Sequence, residues 1–185
     1  MKENTFSDIT FDRIWIKNCS KLKTIHRNAF NTTDSVTNYV RIENNPLLTS
    51  PDNSIFEILS KFVLAHEIDL FYNNITEIPS NAFKNIVGEQ DELKILFLQG
   101  KSIHNLRNNA FSSLKSLEFL DISYTSIDFI PEIAFEFNEE SEQQLIISLF
   151  ANRYLKSSEL SEYSFTNLRR LTLINLIGYY IVIKF

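Results

Sequence analysis

A phenylalanine recurs every 24 to 30 residues along the chain, and each follows a stretch in which every second residue is apolar. Mostly small residues precede it, as in Ala82-Phe83 and Ala110-Phe111. The phenylalanines that mark successive units are Phe30, Phe56, Phe83, Phe111, Phe135 and Phe165. A repeat of this length is typical of proteins that stack one short structural unit on the next.

The third unit shows most clearly how one repeat is built. Its apolar residues and its asparagine stand at Ile68, Leu70, Asn73, Ile75, Ile78, Ala82 and Phe83. This spacing resembles the pattern L-x-x-L-x-L-x-x-N-x-L of the leucine-rich-repeat family, and residues 73–83 are similar to the longer repeats of its secreted and cell-surface members. The resemblance covers roughly residues 11–181. It implies an α/β solenoid, a curved right-handed β-α superhelix with short parallel strands on the concave face and irregular or short helical returns on the convex side.

The physics of the repeat supports this interpretation. A single unit cannot bury its apolar edge alone, so neighbouring units must stack, with Ile68, Leu96, Leu120 and Ile147 pointing inward on adjacent rungs. Asparagines such as Asn73 would hydrogen-bond buried backbone groups in the turn after each strand. We therefore predict one leucine-rich-repeat domain over residues 1–185, with about six to seven repeats.

Composition excludes several classes of protein. A net charge of −5 gives no basic face for nucleic acid. The apolar end, residues 171–185, is shorter than the ~20 residues of a membrane-spanning helix and is predicted to be repeat core. No apolar signal segment follows Met1. Cys19, as the sole cysteine, cannot form an internal disulfide and is predicted to be a buried small apolar residue. Acidic inserts at 87–92 and 137–144 are predicted to be solvated surface.

The two ends of the chain resemble the family less well, because its cysteine-rich caps are missing. The segment Ile181-Val182-Ile183-Lys184-Phe185 has the character of an open apolar end. We expect a truncated chain or a partner chain at that end.

Catalytic motifs are missing from the sequence. The glycines are isolated, and the three histidines fall at different repeat positions, so no cofactor or metal site is predicted. Asp69 and Asp121 should face the concave side about 10 Å apart, near the separation of the two carboxyls in inverting glycosidases. An open face, however, lacks the closed pocket that raises one pKa. We predict that the chain is not an enzyme and keep a hydrolase as a third alternative.

The outward strand positions are unusually rich in aromatic side chains. The candidate binding residues are Trp15, Tyr39, Arg41, Glu67, Asp69, Phe71, Phe97, Phe119, Asp121 and Tyr124. Exposed patches of this composition mark interaction surfaces, which predicts a non-catalytic module that recognises a protein through its concave face. The alternative interpretation of these positions is scattered exposed apolar residues without a function.

Three sequons, at Asn18, Asn31 and Asn74, are glycosylation candidates if the protein is secreted. The family resemblance implies an extracellular or cell-surface setting. It also leaves a second function open, that of a non-catalytic subunit that stabilises the catalytic chain of a secreted enzyme complex.

Overall fold

The computed structural model describes residues 1–30, 37–49, 54–86, 92–137, 140–156, 158, 160 and 163–176. The elements in chain order are β1 (Arg13–Lys17), β2 (Tyr39–Glu43), α1 (Ser54–Leu59), β3 (Glu67–Asp69), β4 (Glu77–Ile78), β5 (Ile95–Phe97), β6 (Asn105–Leu106), β7 (Phe119–Asp121), β8 (Leu145–Ser148) and β9 (Thr172–Asn175). One parallel sheet has the order β1-β2-β3-β5-β7-β8-β9, and β4 pairs with β6 in a second sheet. The described chain is thus a parallel-strand solenoid, and most of its return segments are turns rather than helices.

The register of the long sheet stacks equivalent apolar residues on one another. Ile68 lies opposite Leu96, Leu96 opposite Leu120, and Leu120 opposite Ile147. All four side chains are fully buried. Parallel strands require a crossover between them, and here each repeat supplies one crossover. The predicted stacking of inward residues is confirmed.

A column of phenylalanine rings runs along the returning side of the later units. The ring centroids of Phe83 and Phe111 are 5.9 Å apart, those of Phe111 and Phe135 are 5.6 Å apart, and those of Phe135 and Phe165 are 5.4 Å apart. The planes of neighbouring rings differ by 9° to 14°. The periodic phenylalanines of the sequence therefore form one packed column.

The first units fill this column differently. Phe30 contacts Phe62 edge-on, with a centroid distance of 5.4 Å, and Phe6 stacks on the other side of Phe30 at 5.2 Å. Phe56 lies in α1 and packs against Phe83. Phe62 has no place in the sequence period, so a period-based prediction could not find it.

The asparagines of the repeat form a buried ladder. Asn73 Oδ1 accepts hydrogen bonds from the main-chain N–H and from Nδ2 of Asn45, at 3.2 and 3.1 Å. Asn73 Nδ2 donates to the carbonyl oxygens of Ile42 and Leu70. Asn152 is buried in the equivalent turn. This confirms that the asparagines satisfy buried polar groups of the backbone.

Three burial predictions are wrong. Cys19 is exposed and belongs to the first strand unit. Only its main-chain N–H reaches the asparagine ladder, where it donates to Asn45 Oδ1. Leu171, read from the sequence as repeat core, is 73% exposed beside the last described strand. Phe137, expected in a solvated insert, is fully buried, with Arg170 over its ring at 4.3 Å.

Candidate protein-binding surface

The strands of the long sheet alternate between buried and outward side chains, as β1 shows: Ile14 and Ile16 are buried, whereas Trp15 is exposed. The pairing register aligns the outward residues into rows that cross the sheet. The central row consists of Trp15, Arg41, Asp69, Phe97, Asp121 and Ser148. The adjacent row consists of Arg13, Tyr39, Glu67, Ile95, Phe119 and Ile146. Eight of the ten candidate residues lie in these rows, and Phe71 and Tyr124 follow β3 and β7.

A charged cluster occupies the first three rungs of the face. Arg41 Nε lies 3.0 Å from Asp69 Oδ2 and 3.7 Å from Glu43 Oε2, and Arg41 Nη2 lies 3.5 Å from Glu67 Oε1. Lys17 Nζ is 3.7 Å from Glu43 Oε1. Three carboxylates therefore surround one guanidinium, which fixes Arg41 in a single orientation.

Asp69 is the buried member of this cluster, with its side chain 1% exposed. Its carboxylate accepts a hydrogen bond from the main-chain N–H of Phe71 at 3.1 Å. Desolvation by burial raises the pKa of Asp69 to about 6, and this effect outweighs the lowering by the Phe71 hydrogen bond and the Arg41 charge. The expected solvent exposure of this carboxylate is wrong, because Asp69 lies beneath the surface next to Arg41. The expectation that an open face raises neither pKa is wrong for the same reason.

Asp121 is also buried, contrary to expectation. Its Oδ1 accepts from the main-chain N–H of Ser123 at 2.9 Å, and its Oδ2 accepts from Gln99 Nε2 at 2.5 Å. In the register of the sheet, Phe97 lies between Asp69 and Asp121. If the two carboxylates formed one catalytic centre, a substrate would have to bind between them. Phe97 occupies that position.

The aromatic residues of the face are more exposed than these acids. Trp15 is 60% exposed, and Lys17 Nζ lies 5.8 Å from the centre of its ring. Tyr39 is also exposed, with the guanidinium of Arg13 5.4 Å from its ring. Further along, half-buried aromatic rings continue the surface. Phe97 and Phe119 meet edge-on at a centroid distance of 5.8 Å.

Tyr72 and Tyr124 occupy the turns that follow β3 and β7, and each has φ = 56°. A bulky residue with positive φ is uncommon, and such strain concentrates at functional sites. The turns after β1 and β2 have asparagine at this conformation, Asn18 and Asn44. Both tyrosines are exposed. Sequence reasoning left Tyr72 out of the candidate set, although the asparagines two and one units earlier signal the same turn.

The described sequons lie in different surroundings. Asn18 is exposed, and its Oδ1 accepts from Asn44 Nδ2 at 2.6 Å. Asn74 is half-buried and forms an isolated parallel bridge with Thr49. Asn31 lies outside the described residues, as does the apolar end Ile181–Phe185. Among the residues that the structure describes, no helix is both long and apolar enough to cross a membrane.

One strand per repeat in a parallel sheet, a buried asparagine ladder and a phenylalanine column are consistent with a leucine-rich-repeat solenoid. The family model described as Leucine rich repeat matches residues 91–142 of this chain. Over 122 residues it is 30% identical to the Oplophorus-luciferin 2-monooxygenase non-catalytic subunit of Oplophorus gracilirostris. That match covers 64% of this chain and 31% of the length of the relative.

Proposed function

We propose that this chain is a right-handed leucine-rich-repeat superhelix that binds a protein partner through its concave face and performs no catalysis. The observation that carries the proposal is the in-register alignment of aromatic and charged side chains across the sheet. Trp15 is the most exposed aromatic residue of these rows. Tryptophan, tyrosine and arginine are the residues that most often dominate the binding energy of protein interfaces.

The rigidity of this face supports a binding role. Arg41 is held by Glu43, Glu67 and Asp69, so little side-chain entropy remains to be lost when a partner binds. The aromatic rings are braced in the same way, with Tyr124 edge-on against Phe150 at 5.3 Å. Preorganised side chains of this kind increase affinity because ordering has already occurred on folding.

The test is a pull-down from an extract of the source organism, with the wild-type chain and with Trp15→Ala and Phe119→Ala. We expect each variant to lose a protein that the wild type captures in stoichiometric amount. Tyr154→Ala is the matched control, because Tyr154 is 62% exposed but lies in a turn outside the strands. Folded Trp15→Ala and Phe119→Ala variants that capture the partner as well as the wild type would exclude the concave face.

A second function is favoured by the comparison with a non-catalytic subunit. Under this alternative, the partner is the catalytic chain of a secreted enzyme complex, and the present chain stabilises that catalytic chain. The pull-down would also detect this partner. Recovery of the partner as an active enzyme, with a shorter half-life of activity after the two chains are separated, would support the subunit. Capture of a ligand without turnover would instead support a free-standing binding module.

We further propose an extracellular or cell-surface setting with glycans on Asn18, Asn31 and Asn74. Of these, Asn18 is exposed directly after β1, where its Oδ1 accepts a hydrogen bond from Asn44 Nδ2. Treatment of the natural protein with an N-glycosidase should reduce its apparent mass. An unchanged mass in protein from the natural source would argue against glycosylation at all three sites. The single-domain organisation over residues 1–185 stays a prediction, which limited proteolysis can test.

A further inference from the structure

An open cleft of about 330 Å³ lies beside β6, on the second sheet. β4 and β6 pair through a hydrogen bond of 3.0 Å from the Arg107 N–H to the carbonyl oxygen of Ile78. One unit later, Pro131 stands at the position that corresponds to Arg107. Because proline has no N–H, it cannot donate the equivalent bond to Leu106. The pairing stops at β6 within the described residues, and the cleft lies between these two units.

The inner part of the cleft is apolar. Leu106 and Pro131 are buried beneath it, and the ring of Phe129 forms one side. Phe129 is 47% exposed, and no ring–ring contact holds it among the described residues. The cleft therefore presents an aromatic surface that is free to receive a ligand.

The outer part of the cleft is polar, and its cationic charge is largely neutralised. Arg107 is paired with Glu77, with Nη2 2.7 Å from Oε2. Asp128 and Asn108 make no side-chain hydrogen bond to any residue in the described part of the chain, so both remain available as partners. His104 Nδ1 contacts the main-chain carbonyl two residues earlier. That contact makes Nδ1 the donor, which leaves Nε2 of a neutral imidazole as an acceptor.

We infer that this cleft binds a neutral saccharide of one or two rings. A sugar ring has an apolar C–H face that can lie on Phe129, and its hydroxyl groups both donate and accept hydrogen bonds. The carboxylate of Asp128, the amide of Asn108 and the imidazole of His104 match such a rim. The volume is at the lower end of ligand clefts, which run from about 300 to 1,000 Å³. An anionic ligand is disfavoured by Asp128, and β6 is too short, at two residues, to hold a peptide strand.

The experiment is an NMR titration of the whole ¹⁵N-labelled chain with maltose, cellobiose, lactose and N,N′-diacetylchitobiose, each up to its solubility limit. We expect at least one of them to cause saturable shifts centred on residues 104–108 and 128–131. Phe129→Ala should weaken that binding by about tenfold, the effect of losing an aromatic contact. Asp128→Asn should also weaken it, whereas Tyr154→Ala should leave the affinity unchanged.

Several outcomes would overturn the inference. One is the absence of saturable shifts with all four sugars, and another is a set of shifts centred elsewhere on the chain. Equal affinity of folded Phe129→Ala and the wild type would also overturn it. So would saturable binding at these residues by a neutral control peptide but by none of the sugars. Since the cleft does not include the concave rows, none of these results would alter the expected effect of Trp15→Ala on the protein partner.

Discussion

Arg41 Nε lies 3.0 Å from Asp69 Oδ2, and this ion pair joins neighbouring strands of the sheet beneath the concave surface. The carboxylate is buried, whereas the guanidinium is partly exposed. Buried Asp69 thus orients the guanidinium of Arg41. Burial disfavours the charged form of Asp69, which raises its pKa to about 6.

The first prediction concerns the pH dependence of stability at Asp69. A carboxyl with a higher pKa in the folded than in the unfolded chain binds its proton more tightly when folded. Its contribution to stability is therefore greatest below the ordinary value of 3.8 and is lost as the pH rises through about 6. The Asp69→Asn variant has no carboxyl here and does not lose stability in this way. Its free energy of unfolding relative to the wild type should therefore increase as the pH rises from 3.8 to about 6.

The full pKa difference corresponds to about 3 kcal/mol, and solvent screening reduces the expected increase to about 1–2 kcal/mol. Urea unfolding of both proteins from about pH 4 to about pH 7 measures it. Asp128→Asn, at an exposed site, reports how much of a pH trend comes from removing a surface charge alone. A relative stability of Asp69→Asn that stays constant or decreases with pH would contradict the prediction.

The asparagine ladder leads to a second prediction. Asn73→Ala removes hydrogen bonds to Asn45, Ile42 and Leu70 and leaves their buried polar groups without partners. We expect the free energy of unfolding to fall by about 2–4 kcal/mol. Denaturant unfolding measures the loss, and Asn108→Ala is the control at an exposed asparagine. Similar stabilities of the two variants would mean that the ladder does not support the fold.

The phenylalanine column leads to a third prediction. Phe111 stacks between Phe83 and Phe135 and is fully buried. Phe111→Ala should lower the free energy of unfolding by about 3–5 kcal/mol, because it leaves a cavity in the middle of the column. If that variant does not fold, Phe111→Leu should show a smaller loss of about 1–2 kcal/mol. Phe129→Ala, at an exposed ring, should change stability by less than about 0.5 kcal/mol.

The positive φ of Tyr124 leads to a fourth prediction. Glycine tolerates this conformation without steric conflict, whereas alanine does not. Tyr124→Gly should therefore be more stable than Tyr124→Ala by about 1 kcal/mol. The same pair at Phe119, which lies in a strand, should show the opposite order by about 0.5–1 kcal/mol. Thermal or denaturant unfolding of the four variants decides this, and the same order at both sites would refute a strained turn at Tyr124.

Part of the candidate surface could be predicted from local spacing alone. Alternation along each strand assigned Trp15, Tyr39 and Phe97 to the outward side, and the burial pattern of each strand confirms that assignment. The burial of each side chain could not be predicted, because it depends on residues of the neighbouring repeat, which lie about 26 positions away in the sequence. Arg41 contacts Asp69, and Gln99 contacts Asp121. These contacts arise only when the rungs are stacked.

The sequence by itself determined the repeat, the inward row that includes Leu96 and Leu120, and the role of the buried asparagines. These features follow from patterns within a single unit, so the unit carries the information for them. Only the tertiary structure decided which residues the neighbouring units cover: it exposed Cys19, buried Phe137 and opened the cleft beside Pro131. The physical reason is that burial in a stack is a property of two adjacent rungs, and each rung here has a different neighbour.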